Sequence, residues 1–164
     1  MRSITAVAVL ALLLAGCTST PQSPPLPTPT TGVDGQLGPV TPVGTPESVA
    51  SGLQAPWSVV RLESGSTLVS ERDRGVVVEV SSDGELRDLA TIDGVVHKGE
   101  GGLLGLAVLD EEWLYAYFTT ASDNRIERFA LEGEPGSYSL GAGEEVLTGI
   151  AKAGNHNGGR IAFG

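Results

Sequence analysis

The sequence predicts an all-β fold of small antiparallel sheets arranged as propeller blades, on three observations. From Glu47 onward the apolar residues fall in short runs of about four to seven, rich in Val and Leu, with no long helical periodicity. Turns rich in Gly, Ser and Asp separate the runs, and 23 glycines make such turns frequent. The runs also group in fours, and the opening run of each group recurs roughly every 45 to 55 residues, within the range of a propeller blade.

In chain order, residues 58–62, 67–71, 76–80 and 86–90 form a first four-stranded meander, with turns at 63–66, 72–75 and 81–84. Residues 102–108, 114–119, 124–129 and 145–148 form a second set. Residues 160–163 are expected to be the first strand of a third. Two blades and a stub cannot close a ring, so the intact protein is expected to continue past Gly164. A β-sandwich with evenly spaced strands is the alternative that the pattern alone leaves open.

The first 46 residues follow other rules. Arg2 precedes an apolar run at 4–14 that is too short to span a bilayer as a helix, and Leu14-Ala15-Gly16-Cys17 follows. This resembles the bacterial lipoprotein signal, in which the cysteine is acylated and the chain is cut before it. Residues 1–17 are therefore expected to be an export signal ending in the lipid-attachment residue Cys17. Acyl chains would hold the protein on the outer face of the cytoplasmic membrane, each buried CH₂ adding about 0.8 kcal/mol. Residues 18–46 hold eight of the ten prolines with Thr, Ser and Gly, a composition that forms no core and acts as an extended tether. The folded domain is then 47–164. It contains no cysteine, so no disulfide can stabilise it.

Charge narrows the partners. The net charge is −10 and the chain has only two lysines, which excludes a nucleic-acid footprint of clustered cations. No Cys or His cluster has metal-ligand spacing. Glu71-Arg72 reads as an ion pair at a strand end, His97 as a solvated loop residue, and Trp57 and Trp113 as packing in or between blades.

The stretch with most chemistry is Gly154-Asn155-His156-Asn157-Gly158-Gly159-Arg160. An imidazole on a Gly-rich turn at a strand entry is rigidly held yet open, and its ordinary pKa near 6.5 suits it to take a proton at neutral pH. Asn and Gly are equally what a plain turn selects, so the local sequence supports both readings.

Four stretches coincide in order: Leu53-Gln54-Ala55-Pro56-Trp57 with Leu68-Val69-Ser70-Glu71-Arg72, then Gly99-Glu100-Gly101-Gly102-Leu103-Leu104-Gly105-Leu106-Ala107, then Asn124-Arg125-Ile126-Glu127-Arg128-Phe129, then His156-Asn157-Gly158-Gly159-Arg160-Ile161-Ala162-Phe163-Gly164. Together they resemble the glucose/sorbosone dehydrogenase family, six-bladed propellers that use pyrroloquinoline quinone (PQQ) and calcium. The resemblance implies that His156 is the general base at the anomeric hydroxyl of a sugar. It implies that Glu100 stands beside quinone and substrate, where glucose-oxidising members carry Gln, and that Asn155 lies where some members have a sugar-contacting acid. Arg160 would either orient the loop or contact a bound anion, the cofactor among them, and the calcium ligands would lie beyond residue 164. An external electron acceptor is implied as the second partner, and the 164-residue chain by itself is expected to be inactive. A non-catalytic propeller binding carbohydrate or protein at the cell surface is the other class the resemblance admits.

Cys17→Ser should move the protein from the membrane to the soluble fraction; recovery of this variant on membranes would remove the lipid anchor.

Overall fold

Short β-branched runs punctuated by glycine cannot sustain helices, and they pair instead with the nearest run in sequence. The computed structural model describes residues 43–164, so the expected export signal, Cys17 and residues 18–42 of the expected tether lie outside the described residues. Residues 43–46 are exposed and carry no strand. Nine strands follow, with no helix among the described residues: β1 (Pro56–Arg61), β2 (Thr67–Glu71), β3 (Val76–Val80), β4 (Leu86–Thr91), β5 (Leu103–Leu109), β6 (Trp113–Thr119), β7 (Asn124–Glu132), β8 (Ser139–Leu140) and β9 (Glu144–Ile150).

All pairings are antiparallel. The first sheet has the order β1-β2-β3-β4, and the second has β5-β6-β7-β8 with β9 also paired to β7. The β2–β3 ladder is regular from Thr67↔Val80 to Glu71↔Val76, whereas β1–β2, β3–β4 and β5–β6 each carry a register shift that adds twist. These are two blades of a partial propeller.

The sheets pack face to face. Leu68 and Val77 of the first and Leu103, Leu106, Leu114, Phe118 and Phe129 of the second share one apolar cluster, joined by Leu62 and Ile92 from connecting segments. Each such side chain stabilises by about 1.5–3 kcal/mol when fully buried. The far face of the first sheet presents Val69, Val76, Val78 and Val80 to Ala50 and Leu53, which explains why β3 is buried on both sides.

Four expectations need correction. Residues 160–163 form no strand, because a strand needs a ladder partner and no described strand pairs with them. The segment lies across the second sheet instead, with Gly159 against Leu104 and Trp57, Ile161 over Gly105, and the Phe163 ring edge-on to Tyr115 at 5.0 Å. The two-residue β8 has no counterpart among the expected strands, being too short to leave a hydrophobic pattern. Glu71 does not pair with Arg72: its buried carboxylate accepts the Gln54 N–H at 2.6 Å and pairs with Arg74, while Arg72 turns to Asp73. Trp113 is half-buried beneath the Arg128 guanidinium, 4.3 Å from its ring centre, rather than in a blade core.

At the end of the sheets that carries the β3–β4 turn, a buried carboxylate joins the two blades. Glu79, 1% exposed, accepts from Ser66 Oγ (2.8 Å), Arg87 Nε (3.1 Å) and the Gly136 N–H (2.7 Å), and Arg87 donates onward to the Tyr138 carbonyl at 2.6 Å. Burial pushes its pKa up, but the Gly136 N–H, the Arg87 guanidinium and the Ser66 hydroxyl outweigh burial and hold it below the ordinary glutamate value. A lowered folded pKa means that this contribution is complete above the unfolded pKa and is lost as pH falls through the folded one. Glu79→Ala should destabilise by about 3–5 kcal/mol in denaturant titrations at pH 7, with the difference from the parent shrinking in acid; an equal difference at both pH values would remove the carboxylate's charge from the account.

Candidate functional site

In an antiparallel meander alternate turns fall at the same end of the sheet. The β2–β3 turn, the β4–β5 connection, the β6–β7 turn and the segment after β9 therefore share one end. Their backbones interlock: Leu103 N–H donates to the Arg72 carbonyl (3.0 Å), Val96 N–H to the Thr119 carbonyl (2.8 Å) and Glu100 N–H to the Gly154 carbonyl (3.0 Å). Lys152 Nζ donates to the Thr120 carbonyl at 2.7 Å.

His156 stands on this end, exposed, with φ of 58°, a left-handed conformation costly for a residue with a Cβ. What holds it there is local. The Glu100 carboxylate accepts the His156 N–H at 2.8 Å, so two of the sequence-predicted residues do meet, through a backbone contact. The two loops approach closely because Gly99, at φ 62°, has no Cβ; one there would strike the Gly154 carbonyl. Asn155 is exposed beside His156. Arg160 is not brought to this cluster by any described contact. It lines a hollow with Ala107, Tyr115, Ile126, Val146 and Phe163 on the outer face of the second sheet, and makes no hydrogen bond or ion pair among the described residues.

The sequence reading missed the residues that anchor this end. Asn157 is buried, its carbonyl accepting from the Tyr117 hydroxyl at 2.7 Å, and Asn124 is fully buried behind it, accepting from Thr119 Oγ1 at 2.6 Å. Burial pushes the Tyr117 phenol above its ordinary pKa, keeping it protonated as a donor. Nothing in Asn-His-Asn tells which asparagine turns inward; the available signal was that Asn124 opens a strand, a poor place for Asn without a polar partner.

The flank is set by two further groups. Asp123 accepts from Thr120 Oγ1 (2.6 Å), the Gly149 N–H (2.8 Å) and Arg125, and these bonds hold its carboxyl well below the usual carboxylate range. It ties the β6–β7 turn to β9. His97 is exposed on its loop, as expected, and its Nδ1 donates to the Gly101 carbonyl at 2.9 Å and lies 3.3 Å from Asp73 Oδ1, bracing the turn that carries Glu100. Among the described residues no group of three or more His, Cys, Asp or Glu is arranged to hold a metal ion.

The profile of the glucose / sorbosone dehydrogenase family matches residues 53–164, which include both sheets and every loop of this end. The chain belongs to that family. Among solved structures it is similar to the PQQ-bound form of an aldose sugar dehydrogenase from Streptomyces coelicolor, at 44% identity over 72% of the chain with a TM-score of 0.67. It is also similar to an oxidoreductase described as a glucose dehydrogenase from Thermus thermophilus, at 38% identity over 72% of the chain with a TM-score of 0.62. The chain spans 37% of the length of each. No curated protein matches it.

A family member that tolerates a strained residue at a rim position gains stability when the strain is removed. Because the His156 ring is exposed, His156→Gly should leave the thermal midpoint unchanged or raise it by about a degree or two, whereas the β-branched His156→Val should cost about 1–2 kcal/mol. A His156→Gly variant less stable than the parent would show that the ring makes contacts that matter for folding.

Proposed function

We propose that this chain is part of a PQQ-dependent dehydrogenase that oxidises the C1 hydroxyl of an aldose-type sugar, exported and held at the membrane by lipid on Cys17, with residues 18–46 as the tether. The observation that supports it most is His156: an exposed imidazole in a family-matched loop, on a backbone fixed by Glu100 and by Asn157.

The donor set at this end fits a polyhydroxy substrate. An imidazole and the Asn155 carboxamide stand exposed side by side, able to accept from and donate to sugar hydroxyls. A carboxylate-bearing cofactor would call for a cation, and Arg160 stands apart from this end, in the hollow with Tyr115 and Phe163. Glu100 fits such a cofactor only indirectly, since one of its oxygens already accepts from His156. Its role in this reading is to hold the base, with the second oxygen left for a sugar hydroxyl.

When bound, the quinone supplies the two-electron acceptor for the hydride leaving C1. The chain's own contribution is the proton. An imidazole nitrogen of His156 takes the proton of the C1 hydroxyl, and the electron density left on oxygen eases departure of hydride from the same carbon. The rigid loop keeps that nitrogen in place before the substrate arrives, so little ordering is required at the moment of reaction. In this reading the calcium ligands and the remaining cofactor contacts come from outside the described residues, and the electron acceptor is a separate partner.

The test is reconstitution of the intact protein with PQQ and Ca²⁺, followed by dye reduction across a panel of aldoses. Turnover is expected, and His156→Ala should lower kcat by about 100-fold or more while quinone binding is retained. Absence of both quinone binding and turnover would favour a binding propeller, and full turnover in His156→Ala would remove the assigned base.

A further inference from the structure

Asn157 is buried although Asn155, His156 and Gly158 around it are exposed. Its carboxamide makes three hydrogen bonds. Oδ1 accepts from the Ala153 N–H (3.1 Å) and from Asn124 Nδ2 (3.2 Å), and Nδ2 donates to the Ala153 carbonyl at 3.0 Å. One side chain thus satisfies both backbone groups of Ala153 and closes residues 153–157 into a ring. Asn124 extends the arrangement downward. Its two Nδ2 hydrogens go to Asn157 Oδ1 and the Ala151 carbonyl (2.9 Å), and its Oδ1 accepts from Thr119. Tyr117 clamps the Asn157 carbonyl from β6. No buried side-chain nitrogen or oxygen among the described residues lacks a partner.

This arrangement bears on one exposed residue. His156 sits in the ring in a left-handed conformation that the loop would leave if it were free. Water cannot replace the bonds without entering a packed site, and no isosteric residue reproduces them: aspartate at 157 would set an oxygen against the Ala153 carbonyl, and aspartate at 124 would lose both donors.

We propose that Asn124 and Asn157 are positioning residues, whose paired carboxamides lock the 153–157 loop in the conformation that presents the His156 imidazole. They set turnover without touching substrate or cofactor. The inference rests on the reading of His156 as the base.

The first measurement needs no substrate. In the intact protein, Asn157→Asp and Asn124→Asp should speed amide hydrogen exchange at residues 153–157 by at least about tenfold, with exchange in β6 unchanged. Exchange at the parent's rate overturns the lock. If either aspartate variant fails to fold, Tyr117→Phe, which keeps the ring and removes only the hydroxyl, should still speed exchange at residues 153–157 by a smaller factor. The second measurement is dye reduction by the PQQ-loaded enzyme with the aldose it oxidises fastest: kcat should fall about 100-fold, with KM changed less than about threefold and quinone affinity retained. Parent kcat in a variant whose loop exchanges faster overturns the positioning role. Failure of the underlying reading looks different, since His156→Ala would then turn over at the parent's rate.

Discussion

The loops at the end that bears His156 lie directly on the second sheet because backbone can touch backbone there. Gly105 sits mid-strand in β5, where a Cβ would run into the Gly159 carbonyl, and Gly99 faces the Gly154 carbonyl in the same way. A glycine inside a strand costs about 0.5–1 kcal/mol relative to alanine. That cost is offset by what the contact permits: Leu104 is closed off, the loop after β9 reaches Glu100, and the Asn157 carbonyl comes within reach of Tyr117. Any side chain at either glycine would lift the loop away, and His156 with it.

Legibility in the sequence followed the physics of each element. β2 and β3 were readable to the residue, because short apolar runs and the turn residues that bound them act within a few positions of one another. β8 and the unpaired 160–163 segment were not, since one is too short for a pattern and the other depends on whether a neighbouring strand is there to pair with. The choice of Arg74 over Arg72 as partner of Glu71 depends on the curl of the β2–β3 turn, which composition does not encode. Among the site residues, His156 was visible as a rare residue in an unusual setting. Asn124 and Asn157 have the look of ordinary strand-end and turn residues, and only the fold shows that they are buried.

The two blades are joined by two kinds of contact with different tolerances. The apolar cluster between the sheets would accept exchange of one aliphatic side chain for another of similar volume. The polar joints would not. Glu79 and Arg87 through the Gly136 N–H and the Tyr138 carbonyl at one end, and Ser70 Oγ with the Leu104 carbonyl at 2.6 Å between β2 and β5, each require a particular donor or acceptor, as does the asparagine pair within the second blade. Such joints add little net stability per bond, but they strongly disfavour other registers. The end bearing His156 is accordingly specified by geometry more than by hydrophobic burial.

Among the described residues β1 pairs only with β2, so its other edge is open, and Val59 on it is exposed along with Val146, Leu147 and Phe163 on the second sheet. An open strand edge beside apolar side chains is a template for association. In a solution of this chain alone, the counterweight is the net charge of −10, whose repulsion acts over about 10 Å at 0.1 M salt and shorter distances as salt rises. Colloidal behaviour then becomes a function of ionic strength: dispersed in dilute buffer, self-associating once the charge is screened.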